Sequence, residues 1–351
     1  MVGGGEGSGV EGRGRFAALR ANFAAAMAPK RRLSTAVATI AEVAVKTAKV
    51  AVGKGKGKGK GKGKGKGKGK GEGAPMAAAS AKLGPPVVVG PGEIKIVSWN
   101  VASLRSVVKS GFLQSYLANE EADIVMLQET KLSDAAQFDL AELGDAVKGA
   151  TVFQSLSEIN KGYSGVAVVS KIAPVTVHEP FPDEDKEGRT LVIEYDSFVL
   201  VNAYVPNSGN GLTRLPYRQA WDARFRTFLQ EKRKATGKPI VLAGDLNVAA
   251  THADLARPKP NHNKSAGATD QEREGLAALL SDGMVDAWRK LHPDVDNGWT
   301  FWSRRANCRA KDLGWRLDYF IVDAAVPFVR CEGRKDAHGS DHCPIVLTMR
   351  T

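Results

Sequence analysis

Residues 53–71 alternate Gly and Lys without a break and carry nine lysines, and no packed structure can include them. Glycine brings maximal backbone entropy and the lysines repel one another, so this segment is expected to stay extended and solvated. The same bias covers the whole first quarter of the chain. Residues 1–92 hold 18 basic against 4 acidic side chains, a net charge of +14, whereas residues 93–351 hold 32 against 34. The core must therefore come from the near-neutral body of 259 residues, a size at which one domain buries a sizeable interior. The chain reads as a disordered basic arm, 1–92, joined to a folded body, 93–351. A mere spacer has no need of nine like charges, so the arm is read as a polycation suited to phosphate backbones, where each neutralised phosphate releases counterions.

Several classes fall on composition. No run of eighteen apolar residues exists, and the most apolar part of the arm, Thr35 to Val52, is cut by Glu42, Lys46 and Lys49. That excludes a spanning helix and a secretory core. Cys308, Cys331 and Cys343 are too few and too scattered for a disulfide framework or a four-cysteine zinc site, and read as thiols of a reducing compartment. The cluster Pro29-Lys30-Arg31-Arg32 and the lysine run point to the nucleus, with a mitochondrial or plastid transit peptide as the alternative for the Arg- and Ala-rich residues 13–40.

From Glu93 onward, short runs rich in Val and Ile alternate with amphipathic stretches. Strands are expected at 94–99, 123–129, 165–170, 190–195, 198–205, 239–246, 318–322 and 345–349. The clearest helix is 216–235, where Tyr217, Trp221, Phe225 and Phe228/Leu229 recur at spacings of three and four as a core stripe. Strands outnumber helices and come in pairs, which implies an α/β fold of two packed sheets with helices outside.

Polar residues gather at the strand ends. Asn100 follows the first strand, Gln128-Glu129 end VMLQE, Tyr204 and Asn207 close FVLVNAYVPN, and Asp245 and Asn247 close IVLAGDLN. Asp318 interrupts the apolar run WRLDYFIV, and Asp341-His342 precede the last strand. One such residue would be ordinary turn chemistry; this many imply convergence on one site. Carboxylates and amides without Cys ligands favour a hard cation such as Mg²⁺, with Mn²⁺ as the alternative. A His beside an Asp, with a second Asp in a buried run, suits an imidazole held by one carboxylate and aimed at a phosphoryl oxygen, while another carboxylate deprotonates a water. Metal-assisted phosphodiester hydrolysis follows. The remaining histidines, His178, His252, His262, His292 and His338, lie in polar text and are expected to be solvated.

Seven motifs then occur in order: SWN at 98–100, LQETK at 127–131, GYSGVAV at 162–168, AYVPN at 203–207, GDLNVA at 244–249, GWRLDYF at 314–320 and GSDHCP at 339–344. Together they resemble the exonuclease III family of apurinic/apyrimidinic (AP) endonucleases, close to its human-type branch, from about Glu93 to the C-terminus. The resemblance implies a four-layer α/β sandwich, acting as a monomer on duplex DNA that contains abasic sites, and cleavage 5′ to the abasic sugar. The products would be a 3′-hydroxyl and a 5′-deoxyribose phosphate, with 3′-exonuclease activity as a second capacity. By motif position, Glu129, Asp341 and Asn100 would attend the metal. Asp245 would activate water with Asn247. His342, oriented by Asp318, would contact the scissile phosphate with Tyr204 and Asn207. Phe301, Trp315 and Leu317 resemble the pocket for the extruded sugar, and Arg105, Lys131, Tyr163 and Arg189 match backbone-gripping positions.

Three positions depart from the family. Ala102 replaces an Asp or Asn near the metal, Asn210 replaces an Arg that enters the major groove, and Arg305 replaces a Met inserted through the minor groove. Arg305 can still fill that gap by stacking and charge. Two other readings stay open on sequence: another phosphoesterase on the same scaffold, and a non-catalytic DNA-binding protein on a degenerate nuclease body.

Overall fold

The computed structural model describes residues 82–182 and 186–351. The Gly-Lys segment and the targeting motifs read above lie outside the described residues. In chain order the elements are β1 (Glu93–Asn100), α1 (Leu104–Lys109), α2 (Phe112–Glu120), β2 (Ile124–Gln128), β3 (Thr151–Ser155), β4 (Val166–Ser170), β5 (Thr176–His178), β6 (Thr190–Glu194), β7 (Val199–Tyr204) and α3 (Leu215–Thr236). They continue with β8 (Ile240–Asp245), α4 (Pro258–Asn261), α5 (Asp270–Leu280), β9 (Met284–Asp286), α6 (Ala287–Leu291), β10 (Asp318–Asp323), β11 (Phe328–Gly333) and β12 (Ile345–Arg350).

Strand alternation builds the layers. Along β1, Ile96 enters the core between the sheets while its neighbour Val97 joins the cluster under α1 and α2. On β8, Val241 faces the inter-sheet core and Leu242 packs toward Trp221, Phe225 and Leu229 of α3. The result is two six-stranded mixed sheets, ordered β11-β12-β1-β2-β4-β3 and β5-β6-β7-β8-β10-β9, flanked by helices as expected. Helix α3 has a proline in its first turn and ends at Gly237, whose φ of 68° is a left-handed cap. Among the described residues no helix is long and apolar enough to cross a membrane.

All eight expected strands form. The four that sequence reasoning missed, β3, β5, β9 and β11, are the four sheet edges. β3 and β5 have no buried position and β9 and β11 have one each, so none shows the continuous apolar run of a central strand.

Residues 83–90, read in the sequence as part of the arm, make contacts with the body. Leu83 and Val87 pack against the cluster beneath α1 and α2. The Gly84 amide donates to Asp336 at 2.6 Å and the Val87 amide to Glu120 at 2.8 Å. Residues 83–90 therefore form a strap on the body, because two of the body's carboxylates accept from their amides.

Candidate active site

Strand direction gathers the polar residues. β1 and β2 run parallel, as do β7 and β8, so Asn100, Glu129, Tyr204 and Asp245 all stand at or just past C-terminal ends. β10 and β12 run antiparallel to β8 and β1, which brings the start of β10 (Asp318, opposite Asp245) and the Asp341-His342 turn to the same edge. Gly244 permits the tight approach beside Asp245: its φ is 142°, and a Cβ there would lie 1.9 Å from the Ala203 carbonyl oxygen.

These residues meet in one cleft of about 660 Å³ lined by Glu129, Lys131, Tyr204, Asn207, Asp245, Asn247, Phe301, Trp315, Leu317, Asp341 and His342, among others. His342 Nδ1 lies 2.8 Å from Asp318 Oδ2, and its Nε2 lies 3.8 Å from Asp245 Oδ2. Burial works against the imidazolium, but Asp318 and Asp245 outweigh it and raise the His342 pKa. Burial likewise drives the Asp245 carboxyl up to about 7, against the pull of His342 and reinforced by Asp318. Asp245 Oδ1 accepts from the Asn247 amide at 2.9 Å, and Asn247 Oδ1 accepts from Asn207 Nδ2 at 2.9 Å. Glu129 is lowered overall: burial opposes its charge, but the Lys131 ammonium at 2.7 Å and the Asn100 amide outweigh burial. Burial keeps the Tyr204 phenol neutral, as do the charges of Glu129 and Asp245.

Two of the expected site side chains turn inward. Asn100, expected beside the metal, is fully buried and donates Nδ2 to Glu129 Oε1 at 3.0 Å and to Asp245 Oδ2 at 2.9 Å. Only an amide nitrogen can face two carboxylates, so its oxygen turns to the Ala102 N–H, and Asn100 joins the two acids. Arg189, expected on the DNA backbone, is only 1% exposed. It pairs with Glu187, donates to the Tyr204 carbonyl at 3.1 Å and stacks 4.8 Å from the Tyr204 ring, so it supports Tyr204 from behind. Asp318 also sits behind the cleft, under His342. Arg105, Tyr163, Asn210 and Arg305 lie outside the cleft lining and are exposed.

Phe301, Trp315 and Leu317 form an apolar wall, with the Phe301 ring 4.8 Å from that of His342. Sequence reasoning missed Ser103, Ser106, Asn261, Ser303 and Arg304, which also line the cleft. Arg304 stands 3.5 Å from Asp341, and only its adjacency to Arg305 distinguished it in the sequence. Ala102 has a left-handed backbone, φ 56°. Of the histidines expected to be solvated, His252 and His338 are exposed, whereas His178, His262 and His292 are half-buried and hydrogen-bonded to Glu194, Asp270 and the Cys331 carbonyl.

The donor chemistry fits a hard divalent cation. Glu129 and Asp341 bring carboxylates to the cleft lining beside the buried cluster of Asp245, Asp318 and His342, whose side-chain donor atoms lie within 4.8 Å of one another, and no cysteine lines the cleft. Asp318 Oδ1 has no hydrogen-bond partner among the described residues.

The chain matches the model of the Endonuclease/Exonuclease/phosphatase family over residues 97–342. It is 44% identical to the DNA repair nuclease APEX1 of Danio rerio over 73% of this chain and 82% of that one. It is 40% identical to the DNA-(apurinic or apyrimidinic site) endonuclease of Dictyostelium discoideum, over 73% of this chain and 71% of that one. Among solved structures it resembles the AP endonuclease of Leishmania major, with a TM-score of 0.67, 32% identity, and coverage of 77% of this chain and 93% of that one. Enzymes of this family generally depend on a divalent metal. With this fold, these strand-end acids and these relatives, the chain belongs to the Endonuclease/Exonuclease/phosphatase family and, within it, to the exonuclease III-type AP endonucleases.

Proposed function

We propose that the cleft hydrolyses the phosphodiester on the 5′ side of an abasic site in duplex DNA, with Mg²⁺ as the working cation. The observation that carries this reading is the meeting of Asp245, Asn247 and His342 with the apolar wall of Phe301, Trp315 and Leu317 in one cleft. Asp245 is the base: burial has raised its carboxyl toward neutrality, and the Asn247 amide fixes Oδ1. Water gives its proton to Asp245 as its oxygen attacks phosphorus. His342, kept cationic by Asp318, donates from Nε2 to a non-bridging oxygen where negative charge builds. Tyr204 and Asn207 add neutral donors on the same phosphate. Glu129 and Asp341 would hold Mg²⁺, which when bound supplies positive charge to the phosphate and to the departing 3′-oxygen.

Abasic selectivity follows from the wall. A sugar without a base can be extruded against Phe301, Trp315 and Leu317, and extrusion costs least where pairing is already lost. Arg105, Lys131, Tyr163, Asn210 and Arg305 supply contacts to the flanking DNA from the rim. The test is a duplex with one abasic analogue. A nick 5′ to the lesion with Mg²⁺, none with EDTA and none in undamaged duplex supports the reading; binding without a nick overturns it. Repeating the titration with Mn²⁺ ranks the two cations. The basic arm is proposed to hold flanking DNA and to direct the protein to the nucleus. Deleting residues 1–72 should flatten the salt slope of duplex binding by about five units if six lysines neutralise phosphates.

A further inference from the structure

We propose that Arg218 on α3 is a positioning residue for the water-activating pair Asp245 and Asn247, acting through the backbones of two loops; this rests on the hydrolytic reading of the cleft. Arg218 is 2% exposed and lies outside the cleft lining, reaching the loops through their backbone carbonyls. Its Nη1 donates to the Pro206 carbonyl at 2.9 Å and to the Asn247 carbonyl at 3.3 Å, and its Nη2 donates to the Leu246 carbonyl at 2.9 Å. Pro206 immediately precedes Asn207, and Leu246 lies between Asp245 and Asn247.

The two loops leave neighbouring parallel strands whose last residues, Tyr204 and Asp245, are in register. One more bond follows, from the Val205 amide to the Asp245 carbonyl at 2.9 Å, and beyond it buried carbonyls need other donors. Asn247 is folded into the left-handed region, φ 49°, which turns its amide onto Asp245 Oδ1 and its side chain onto Asn207 and the Val205 carbonyl. The asparagines couple the loops on the cleft side, and the guanidinium couples them from behind. A planar fork of five donors can span both loops at once, which a lysine ammonium cannot. Asp222, one turn along α3, accepts Nε at 2.9 Å on both oxygens and fixes the plane of the fork.

The test compares Arg218→Lys and Asp222→Asn with Arg226→Met, a control on the same helix whose partner Asp282 follows α5 rather than either loop. Single-turnover cleavage and affinity for abasic-analogue duplex are measured for each, with amide hydrogen exchange at Leu246 and Asn247. Arg218→Lys is expected to lower the cleavage rate by about 10- to 100-fold, as small misplacements of reacting groups do, with affinity within about twofold. Asp222→Asn should lose a smaller factor in rate, and Arg226→Met none. Millimolar guanidinium, and not methylammonium, should restore rate to Arg218→Ala. A rate within threefold of wild type in Arg218→Lys, or equal losses of rate and affinity, overturns the proposal; if that variant fails to fold, an unchanged rate in Asp222→Asn does so. Should wild type itself leave abasic duplex uncut, the hydrolytic reading fails. Faster exchange at Leu246 and Asn247 in Arg218→Lys would then still support the clamp, and unchanged exchange would overturn it.

Discussion

Truncating the chain immediately before Glu93 is predicted to destabilise the body, whereas truncating before Gly73 is not. The strap makes the difference. Glu120 is fully buried, and its Oε1 accepts from the Val87 amide at 2.8 Å and from Lys95 at 3.1 Å. Removing the strap takes one donor from a buried carboxylate, a loss of about 1.5–3 kcal/mol. The Gly84 amide also leaves Asp336, and the Gly84 carbonyl leaves Asn119 and Arg334, but these groups are partly exposed and water replaces much of what is lost. For a domain of this size, 1 kcal/mol shifts the melting temperature by roughly 2–4 °C, so the midpoint should fall by about 3–12 °C. Circular dichroism melts of the two truncated proteins measure it. The cleavage rate should fall as well, because Asp336 and Arg334 lie on the loop that leads to Asp341 and His342. Melting midpoints within one degree of each other, about the resolution of that scale, would refute the reasoning.

Three further outcomes are expected. Asp245→Asn and His342→Asn should each lower single-turnover cleavage by about 10² or more while leaving abasic-duplex affinity nearly intact, because both act on the transition state; rates within threefold would remove either from the mechanism. Ala102→Asp should lower the half-saturating Mg²⁺ concentration by about tenfold, since φ 56° suits Asp better than Ala and a carboxylate there would support the cation; superimposed titration curves would exclude this. Asp254→Asn should cost about 3 kcal/mol or more at pH 7, because it strips a partner from Arg316, which is 2% exposed. Burial opposes the Asp254 charge, yet Arg316 outweighs it and holds the pKa below its ordinary 3.8. A depressed folded pKa gives stability that is full above the unfolded value and lost as pH falls through the folded one, so the gap between wild type and variant should shrink in strong acid. Denaturant midpoints at two pH values test this, and a gap that widens in acid would contradict it.

The sequence made the central strands and the cleft acids legible for one reason: both are local patterns. A strand buried on both faces is a continuous apolar run, and a polar residue at its end stands out against it. β3, β5, β9 and β11 lack that contrast because each has one side facing solvent at a sheet edge. Asn100 is expected beside the metal and Arg189 on the DNA backbone, but their side chains turn inward, Asn100 to bridge Glu129 and Asp245 and Arg189 to hold Tyr204. Which way a polar group faces depends on partners far along the chain, and no local pattern encodes it. Arg218 was invisible for the same reason. It reads as one of many basic residues on an amphipathic helix, and only the fold puts Pro206, Leu246 and Asn247 carbonyls against its guanidinium. The strap was hidden because its apolar run, Val87-Val88-Val89, sits within Pro- and Gly-rich text typical of a linker.

Cleavage of abasic duplex in ¹⁸O-labelled water, with mass analysis of both ends, tests the central claim most directly. If Asp245 activates a water that attacks phosphorus, one ¹⁸O enters the 5′-deoxyribose phosphate and the other fragment ends in an unlabelled 3′-hydroxyl. A 3′-unsaturated sugar end with no label in the phosphate would mean elimination rather than hydrolysis, and would contradict the account.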